Sequence, residues 1–74
     1  MLTGKRFRLN KDSMVIANSD HRPVTIPAGQ IVRVISGPRP DYRRMVDITW
    51  KDSRFFMFAE DIERRGEEVS AQSR

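Results

Sequence analysis

The chain has 74 residues, enough for one domain, and a domain of this size buries only about 60% of the surface of its unfolded chain. It contains no cysteine, which excludes disulfides and thiolate metal sites. Residues 1–10 carry basic side chains in place of an apolar leader, and no later stretch has the length of a membrane span. We therefore expect a soluble, cytoplasmic protein with no membrane partner.

The net charge of +4 is unevenly distributed along the chain. Residues 1–44 carry nine Lys or Arg and three Asp, a net +6, whereas residues 45–74 carry five basic and seven acidic side chains, a net −2. This asymmetry favours an anionic partner for one part of the surface. The alternative is that the charge only keeps a small protein in solution.

The first predicted strand is Lys5–Asn10, in which Phe7 and Leu9 alternate with Arg6 and Arg8. This period of two is typical of a strand with one buried face. The apolar run Met14–Ala17 follows between polar clusters. It predicts a second, shorter strand or one arm of a long loop.

The next segments run from a turn to the strongest strand candidate. Val24–Ile26 leads into residues 27–29, Pro-Ala-Gly, which predict a turn because glycine can take the positive φ that closes it. Residues 30–36 are apolar around a single arginine, as expected of a curved core strand. Residues 37–41 contain two prolines, which lack the N–H of a sheet ladder, so we predict a loop there.

A hairpin is predicted next. Met45–Trp50 alternates, residues 51–53 form the turn, and Arg54–Phe58 is the returning strand. Ala59–Ile62 predicts a single helical turn, because it carries acidic residues at its start. Residues 63–65 then predict a last short strand, so the domain covers residues 1–65. Residues 66–74, which have few large apolar side chains, predict a flexible C-terminal tail. The expected core consists of Phe7, Ile31, Val34, Val46, Ile48, Trp50, Phe56 and Phe58.

From Lys5 to Arg65, the order of elements resembles a Src-homology-3-like (SH3-like) barrel. This resemblance implies an all-β fold, a small five-stranded barrel with one short helical turn near the C-terminus. A five-stranded oligonucleotide-binding barrel stays open as the alternative. Segments 24–29, 45–50 and 56–66 are also similar to short uncharacterised bacterial proteins, which implies no function. Residues 10–29 lack the aromatic cluster that binds proline-rich peptides, so we do not expect such a ligand.

The sequence gives little support for catalysis. His21, the one histidine, lies in a polar turn without further metal ligands, so we interpret it as a solvated loop residue. The central carboxylates have simpler roles in a turn, at a helix start and on an outer strand face; they are Asp47, Asp52, Glu60 and Asp61. We therefore predict no enzyme activity, metal, cofactor or small-molecule substrate.

Basic residues in two segments could form a nucleic-acid surface. Lys5, Arg6, Arg8 and Lys11 belong to the first strand or follow it. The loop around Tyr42 contributes Arg39, Arg43 and Arg44. If the two segments are neighbours, they would bind phosphates without reading sequence, and Tyr42 could stack on an unpaired base. Alternatively, Arg43 and Arg44 pair with Asp41 or Asp47, leaving only weak surface ion pairs.

Four consecutive large apolar residues occupy positions 55–58. If Phe56 and Phe58 are buried, alternation places Phe55 and Met57 outside with Met45, as an apolar protein interface. Alternatively, a strongly curved strand buries both faces. We expect a non-enzymatic binding or adaptor domain. Contact with a protein partner, or self-association, is favoured slightly over nucleic-acid binding.

Overall fold

A computed structural model describes residues 3–39 and 44–69, with only the backbone of residues 38 and 39. This part of the chain forms seven strands and one helix. In chain order they are β1 (Arg6–Leu9), β2 (Ser13–Ala17), β3 (Pro23–Ile26), β4 (Ile31–Arg39), β5 (Met45–Trp50), β6 (Ser53–Phe58), α1 (Ala59–Arg65) and β7 (Gly66–Val69).

All the strands belong to one antiparallel sheet with the order β3-β2-β6-β5-β4-β1-β7. The sheet curls into a half-barrel, which confirms the all-β class. It has seven strands in place of the predicted five. The additional pairing comes from β2 and β3, which form a hairpin in the segment before the Pro-Ala-Gly turn. Pro23 begins the edge strand β3, where a missing N–H is tolerated.

The concave face of the sheet and helix α1 enclose the core. Its members are Phe7, Leu9, Val15, Ile26, Val32, Val34, Val46, Ile48, Phe55, Met57, Ala59 and Ile62. Trp50 is partly buried against this cluster. Three residues expected in the core are not buried, because they occupy outward positions of their strands. Ile31 is 39% exposed, Phe58 is 44% exposed and Phe56 is half-buried.

Strand β4 continues to Arg39, three residues beyond the predicted end at Ser36. The predicted loop over residues 37–41 was therefore wrong for residues 37–39. The pairing with β5 shifts register between Ser36 and Arg39, so Pro38 lies where no ladder N–H is required. Gly37 has φ +108°, and a Cβ there would lie 3.0 Å from the Cα of Val46. Glycine thus allows the irregular strand to stay against β5.

The hairpin of β5 and β6 turns on two residues, Lys51 and Asp52, with positive φ values of 54° and 65°. Two positive φ values are typical of a type I′ turn, which matches the twist of paired strands. Ser53 was predicted in the turn but begins β6. Ile48 consequently pairs with Phe55 rather than Phe56, and every side chain of β6 changes face.

This register contradicts the predicted outward position of two interface residues. Phe55 is 8% exposed and Met57 is fully buried, so both belong to the core. Phe56 and Phe58 occupy the outer face instead. Met45, the third predicted interface residue, is half-buried on that outer face, opposite Phe58.

Helix α1 is longer than the predicted single turn. It includes residues 63–65, so the short strand predicted there was wrong. Acidic Glu60 and Asp61 begin the helix and Arg64 lies in its last turn, an order that complements the helix dipole. Glu60 and Arg64 form an ion pair of 3.3 Å. Ile62 is buried and holds the helix against the core.

The chain leaves α1 directly into β7, which pairs with β1. The predicted flexible tail was therefore wrong for residues 66–69, and residues 70–74 lie outside the described part. A Cβ at Gly66 would lie 2.7 Å from the carbonyl oxygen of Ile62 and 3.2 Å from the Cβ of Phe7. Only glycine fits this transition from helix to strand without displacing its neighbours.

Candidate functional site

Three arginines lie in line across the outer face of the sheet. Arg6 is paired with Arg33, Arg33 with Thr49, and Thr49 with Arg54, on strands β1, β4, β5 and β6. Directly opposite residues of antiparallel strands project to the same face. Strands lie about 4.8 Å apart, so three spacings give a row about 14 Å long. We call Arg6, Arg33 and Arg54 the arginine row.

The arginine row places like charges close together. The residue between Arg33 and Arg54 is Thr49, which is not acidic. Arg6 and Arg33 are direct cross-strand partners, an arrangement that costs stability. Arg33 and Arg54 are exposed, and neither forms an ion pair with any residue in the described part of the chain. Two guanidinium groups are therefore available to an external anion.

The row borders an open depression of about 470 Å³. Besides the three arginines, Lys51 and Trp50 line it. Asp52 is the one carboxylate among the described residues around it. Four cationic side chains against one acidic one make this depression strongly positive.

The indole of Trp50 has a fixed orientation on the core side of β5, in line with Val46 and Ile48. Its Nε1–H donates a hydrogen bond to Oε1 of Gln30 at 3.1 Å. Its ring centroid is 6.0 Å from that of Phe55, with the planes tilted by 53°. The Nζ atom of Lys51 lies over the ring, 4.9 Å from the centroid, in a cation–π contact.

The predicted basic residues of the first strand are only partly available. Arg8 lies two positions from Arg6 on the same face and is exposed. Its cross-strand neighbour on β7 is the acidic residue Glu67. Lys5 forms an ion pair of 3.6 Å with Glu68. Lys11 is exposed after β1. Acidic residues on β7 therefore moderate the positive charge at this edge.

The described positions of the second predicted basic segment, the backbone of Arg39 and residue Arg44, lie away from the first segment. Arg39 is opposite Met45, six residues further along β4 than Arg33, which corresponds to about 20 Å. Arg44 forms an ion pair of 4.0 Å with Glu63. The described residues of the two segments are thus not neighbours, which is the condition on which a joined groove depended. The Arg39 side chain, Tyr42 and Arg43 lie outside the described part.

Sequence reasoning missed the residues that surround the first segment: Arg33, Lys51 and Arg54, with Trp50 as the aromatic. The outward positions of Arg33 and Arg54 follow from strand alternation. Their alignment with Arg6 depends on the pairing of β1 with β4 and of β5 with β6. A two-residue turn would have revealed the register of β5 with β6, but no local feature of the sequence indicates that β1 pairs with β4.

The other end of the same outer face is apolar. Met45 is paired with Phe58, and Ile16 with Phe56. Met14, two residues before Ile16 and on its face, is 62% exposed. We call Met14, Ile16, Met45, Phe56 and Phe58 the apolar patch. A cavity of about 220 Å³ opens on it, lined by Ile16, His21, Met45 and Phe56.

In the described part of the chain, His21 and the carboxylates are not grouped as metal ligands would be. His21 is exposed with φ 58°, and its backbone N–H donates to the carbonyl oxygen of Ala17. Asp47, on the outer face as predicted, accepts a hydrogen bond of 2.8 Å from Oγ of Ser36. Within residues 3–39 and 44–69, no three His, Asp or Glu side chains are grouped to hold a metal ion.

No protein-family model, curated protein or solved structure matches this chain. The described segments also contain no helix of the length and apolarity that a membrane crossing requires.

Proposed function

We propose that this protein is a non-enzymatic domain that binds the phosphodiester backbone of nucleic acid. The observation that carries this proposal is the arginine row, in which Arg33 and Arg54 are exposed and have no ion-pair partner among the described residues. Arg8 and Lys51 add charge at its borders.

The guanidinium groups of the row are well suited to binding phosphate, whereas their proximity to one another destabilises the fold. A guanidinium group donates two parallel hydrogen bonds to phosphate oxygens and stays charged at all physiological pH values. Cross-strand repulsion between Arg6 and Arg33 falls when a polyanion neutralises both. Contacts with the backbone alone do not distinguish bases, so we expect little sequence preference.

Salt dependence of binding provides the test. A fluorescently labelled oligothymidylate of about 12 nucleotides, within the usual site sizes, is titrated with protein and followed by anisotropy. Between about 50 and 200 mM salt, affinity should fall steeply. Each of Arg33→Ala and Arg54→Ala should weaken binding and lower the slope of log K against log salt by about 0.7, the value for one single-strand phosphate contact.

Arg64→Ala is the matched control, because it removes the same charge from an exposed position on α1. Its slope should equal that of the unchanged protein. Absence of binding at low salt would overturn the proposal. So would an equal loss from Arg64→Ala, because it would mean that net charge, not the arginine row, determines affinity.

The apolar patch favours a second candidate function, contact with another copy of this chain. Phe58 and Met14 are 44% and 62% exposed beside three further apolar side chains. Contiguous exposed apolar area is typical of association sites. Phe55 and Met57 are buried, so the apolar patch contains only one of the three predicted interface residues, Met45. For this reason we place self-association below phosphate binding.

Sedimentation at several protein concentrations tests self-association. The unchanged chain should form dimers that persist at high salt, and Phe58→Asp should abolish them. Ser53→Asp is the control, because it adds the same charge at the exposed opposite end of β6. A protein that stays monomeric at all concentrations, or loses association equally in both variants, contradicts this candidate.

For the barrel type, we propose the SH3-like layout over the oligonucleotide-binding alternative. Its support is the order of elements: β1, β4, β5, β6 and β7 supply five strands, and α1 lies between the last two. The pairing of the final strand with the first also suits a closing barrel. In this interpretation β2 and β3 are a hairpin within the long excursion.

A further inference from the structure

Thr49 is the uncharged residue in the line that crosses the sheet at the arginine row. It lies directly between Arg33 on β4 and Arg54 on β6, and all three project from the outer face. Both arginines are exposed, whereas the short side chain of Thr49 is half-buried. The three residues line the same open depression. Thr49 therefore forms the floor of a recess whose two sides carry guanidinium groups.

The hydroxyl group of Thr49 is available to a ligand. Within residues 3–39 and 44–69, no group forms a side-chain hydrogen bond with it. A threonine hydroxyl can donate one hydrogen bond, and a guanidinium group can only donate. A phosphate group carries negative charge and several strong acceptor oxygens, so it suits the floor and both sides of the recess.

The spacing of the strands fits one phosphate group. Arg33 and Arg54 are two strand spacings apart, about 9.6 Å, with Thr49 midway between them. A hydrogen bond from a guanidinium nitrogen to a phosphate oxygen spans about 2.8 Å. The two long arginine side chains can therefore reach one phosphate from opposite sides, while the hydroxyl contacts it from below.

Acidic residues limit where a phosphate can lie along β5. Asp47 is two residues before Thr49 on the same face, about 7 Å away, and its carboxylate accepts a hydrogen bond from Ser36. Asp52, in the hairpin turn, lines the depression from the other direction. Both carboxylates repel an anion, so the position above Thr49 is favoured over positions further along the strand.

We infer that one phosphate group is seated above Thr49, held by Arg33 and Arg54 and by a hydrogen bond from the Thr49 hydroxyl. This inference rests on the proposed function and adds an uncharged residue to the binding site. The arginines supply charge and therefore the salt dependence of binding. The hydroxyl supplies a directional contact that positions the phosphate and releases no counterion.

Thr49→Val tests this contact, because valine keeps the branched shape and strand preference of threonine and removes the hydroxyl. Affinity for the labelled oligothymidylate should fall by about 10-fold, as expected for one hydrogen bond to a charged group. The slope of log K against log salt should stay unchanged, in contrast to its fall in Arg33→Ala. Thr49→Ser keeps the hydroxyl and should restore most of the affinity.

Thr25→Val is the matched control, because Thr25 is an exposed residue of β3 that does not line the depression. It should bind as tightly as the unchanged protein, and thermal melts establish that each variant is folded. Unchanged affinity in Thr49→Val would overturn the inference. An equal loss in Thr25→Val would also overturn it, because the loss would then not depend on the recess.

Inorganic phosphate is a second probe, and it requires no variant. In an NMR titration at low salt, the amides of Arg33, Thr49 and Arg54 should shift together and saturate with one dissociation constant. The amide of Arg64 on α1 should not shift, and chloride at equal ionic strength should not reproduce the effect. Shifts spread evenly over the exposed basic residues would overturn a discrete site above Thr49.

The outcomes separate this inference from the proposed function. Oligothymidylate binding that depends on Arg33 and Arg54 but not on Thr49 would overturn the inference and leave the arginine row as a phosphate site. Saturable binding of inorganic phosphate without oligothymidylate binding would support the site above Thr49 and overturn the nucleic-acid function. Failure of both probes to bind at low salt would overturn both proposals.

Discussion

Strands β5 and β6 run through two chemically opposite regions of one surface. At one end Thr49 lies between Arg33 and Arg54, and the face is cationic. At the other end Met45 lies opposite Phe58, and the face is apolar. Less than the length of a six-residue strand separates the arginine row from the apolar patch.

The contrast shows that alternation and register determine different properties of a surface. Alternation decides which side chains point outward, and it treats Arg54, Phe56 and Phe58 alike. Register decides which outward residues become neighbours, and so separates arginines from apolar side chains. The two ends should respond oppositely to salt, because screening weakens ionic contacts and leaves apolar ones largely intact.

The largest expected effect tests the assignment of the patch to the outer face. Met57→Ala should lower the free energy of unfolding by about 2–5 kcal/mol, because it opens a cavity at a fully buried position. The neighbouring Phe58→Ala should cost only about 0.5 kcal/mol, since that ring is 44% exposed. Urea denaturation measures both. A larger loss for Phe58→Ala would place the apolar patch inside the core.

This pair of residues also marks the limit of what the sequence could predict. The alternating segments Lys5–Asn10 and Met45–Trp50 predicted β1 and β5 and the faces of their side chains. Residues 55–58 are all apolar, so they contain no alternation from which to read a face. Their orientation depends on the length of the preceding turn. The predicted turn had three residues and the observed turn has two, and this difference of one residue reverses the face of every side chain.

The arginine row was beyond local patterns for a different reason. Arg6 and Arg33 are 27 positions apart in sequence and meet only because β1 pairs with β4. The basic segment around Arg44 was more conspicuous in the sequence, but in the described residues its charge is matched by Glu63. A cluster of basic residues along the chain therefore does not by itself predict unpaired charge on the surface.

A smaller effect, at the cationic end, concerns the hairpin turn. Asp52→Gly should raise the free energy of unfolding by about 1 kcal/mol, because glycine adopts the φ of 65° without the steric cost of a side chain. It should also tighten oligothymidylate binding, since Asp52 is the carboxylate lining the depression. Thermal melts and anisotropy measure the two changes.

Asp52→Asn separates those two contributions. It removes the charge but keeps a side chain, so it should reproduce the gain in affinity with less gain in stability. If neither variant binds the oligonucleotide more tightly, the depression lined by Trp50 is not where the strand lies. If Asp52→Gly is destabilising, the Asp52 side chain contributes to the turn more than its backbone strain costs.

The smallest expected effect on stability decides whether the arginine row is maintained at a cost. Arg33→Thr replaces a cation opposite Arg6 with a residue suited to strands, so it should stabilise the fold by about 0.5 kcal/mol at low salt. This gain should shrink as salt screens the repulsion, whereas nucleic-acid binding should weaken. Arg8→Thr is the matched control, because Arg8 lies between Ile31 and Glu67 and should give no such gain. A destabilisation by Arg33→Thr that does not change with salt would mean that the arginine packs favourably. Opposite signs for stability and binding are the result expected of a surface on which Arg33 repels Arg6 and attracts a bound anion.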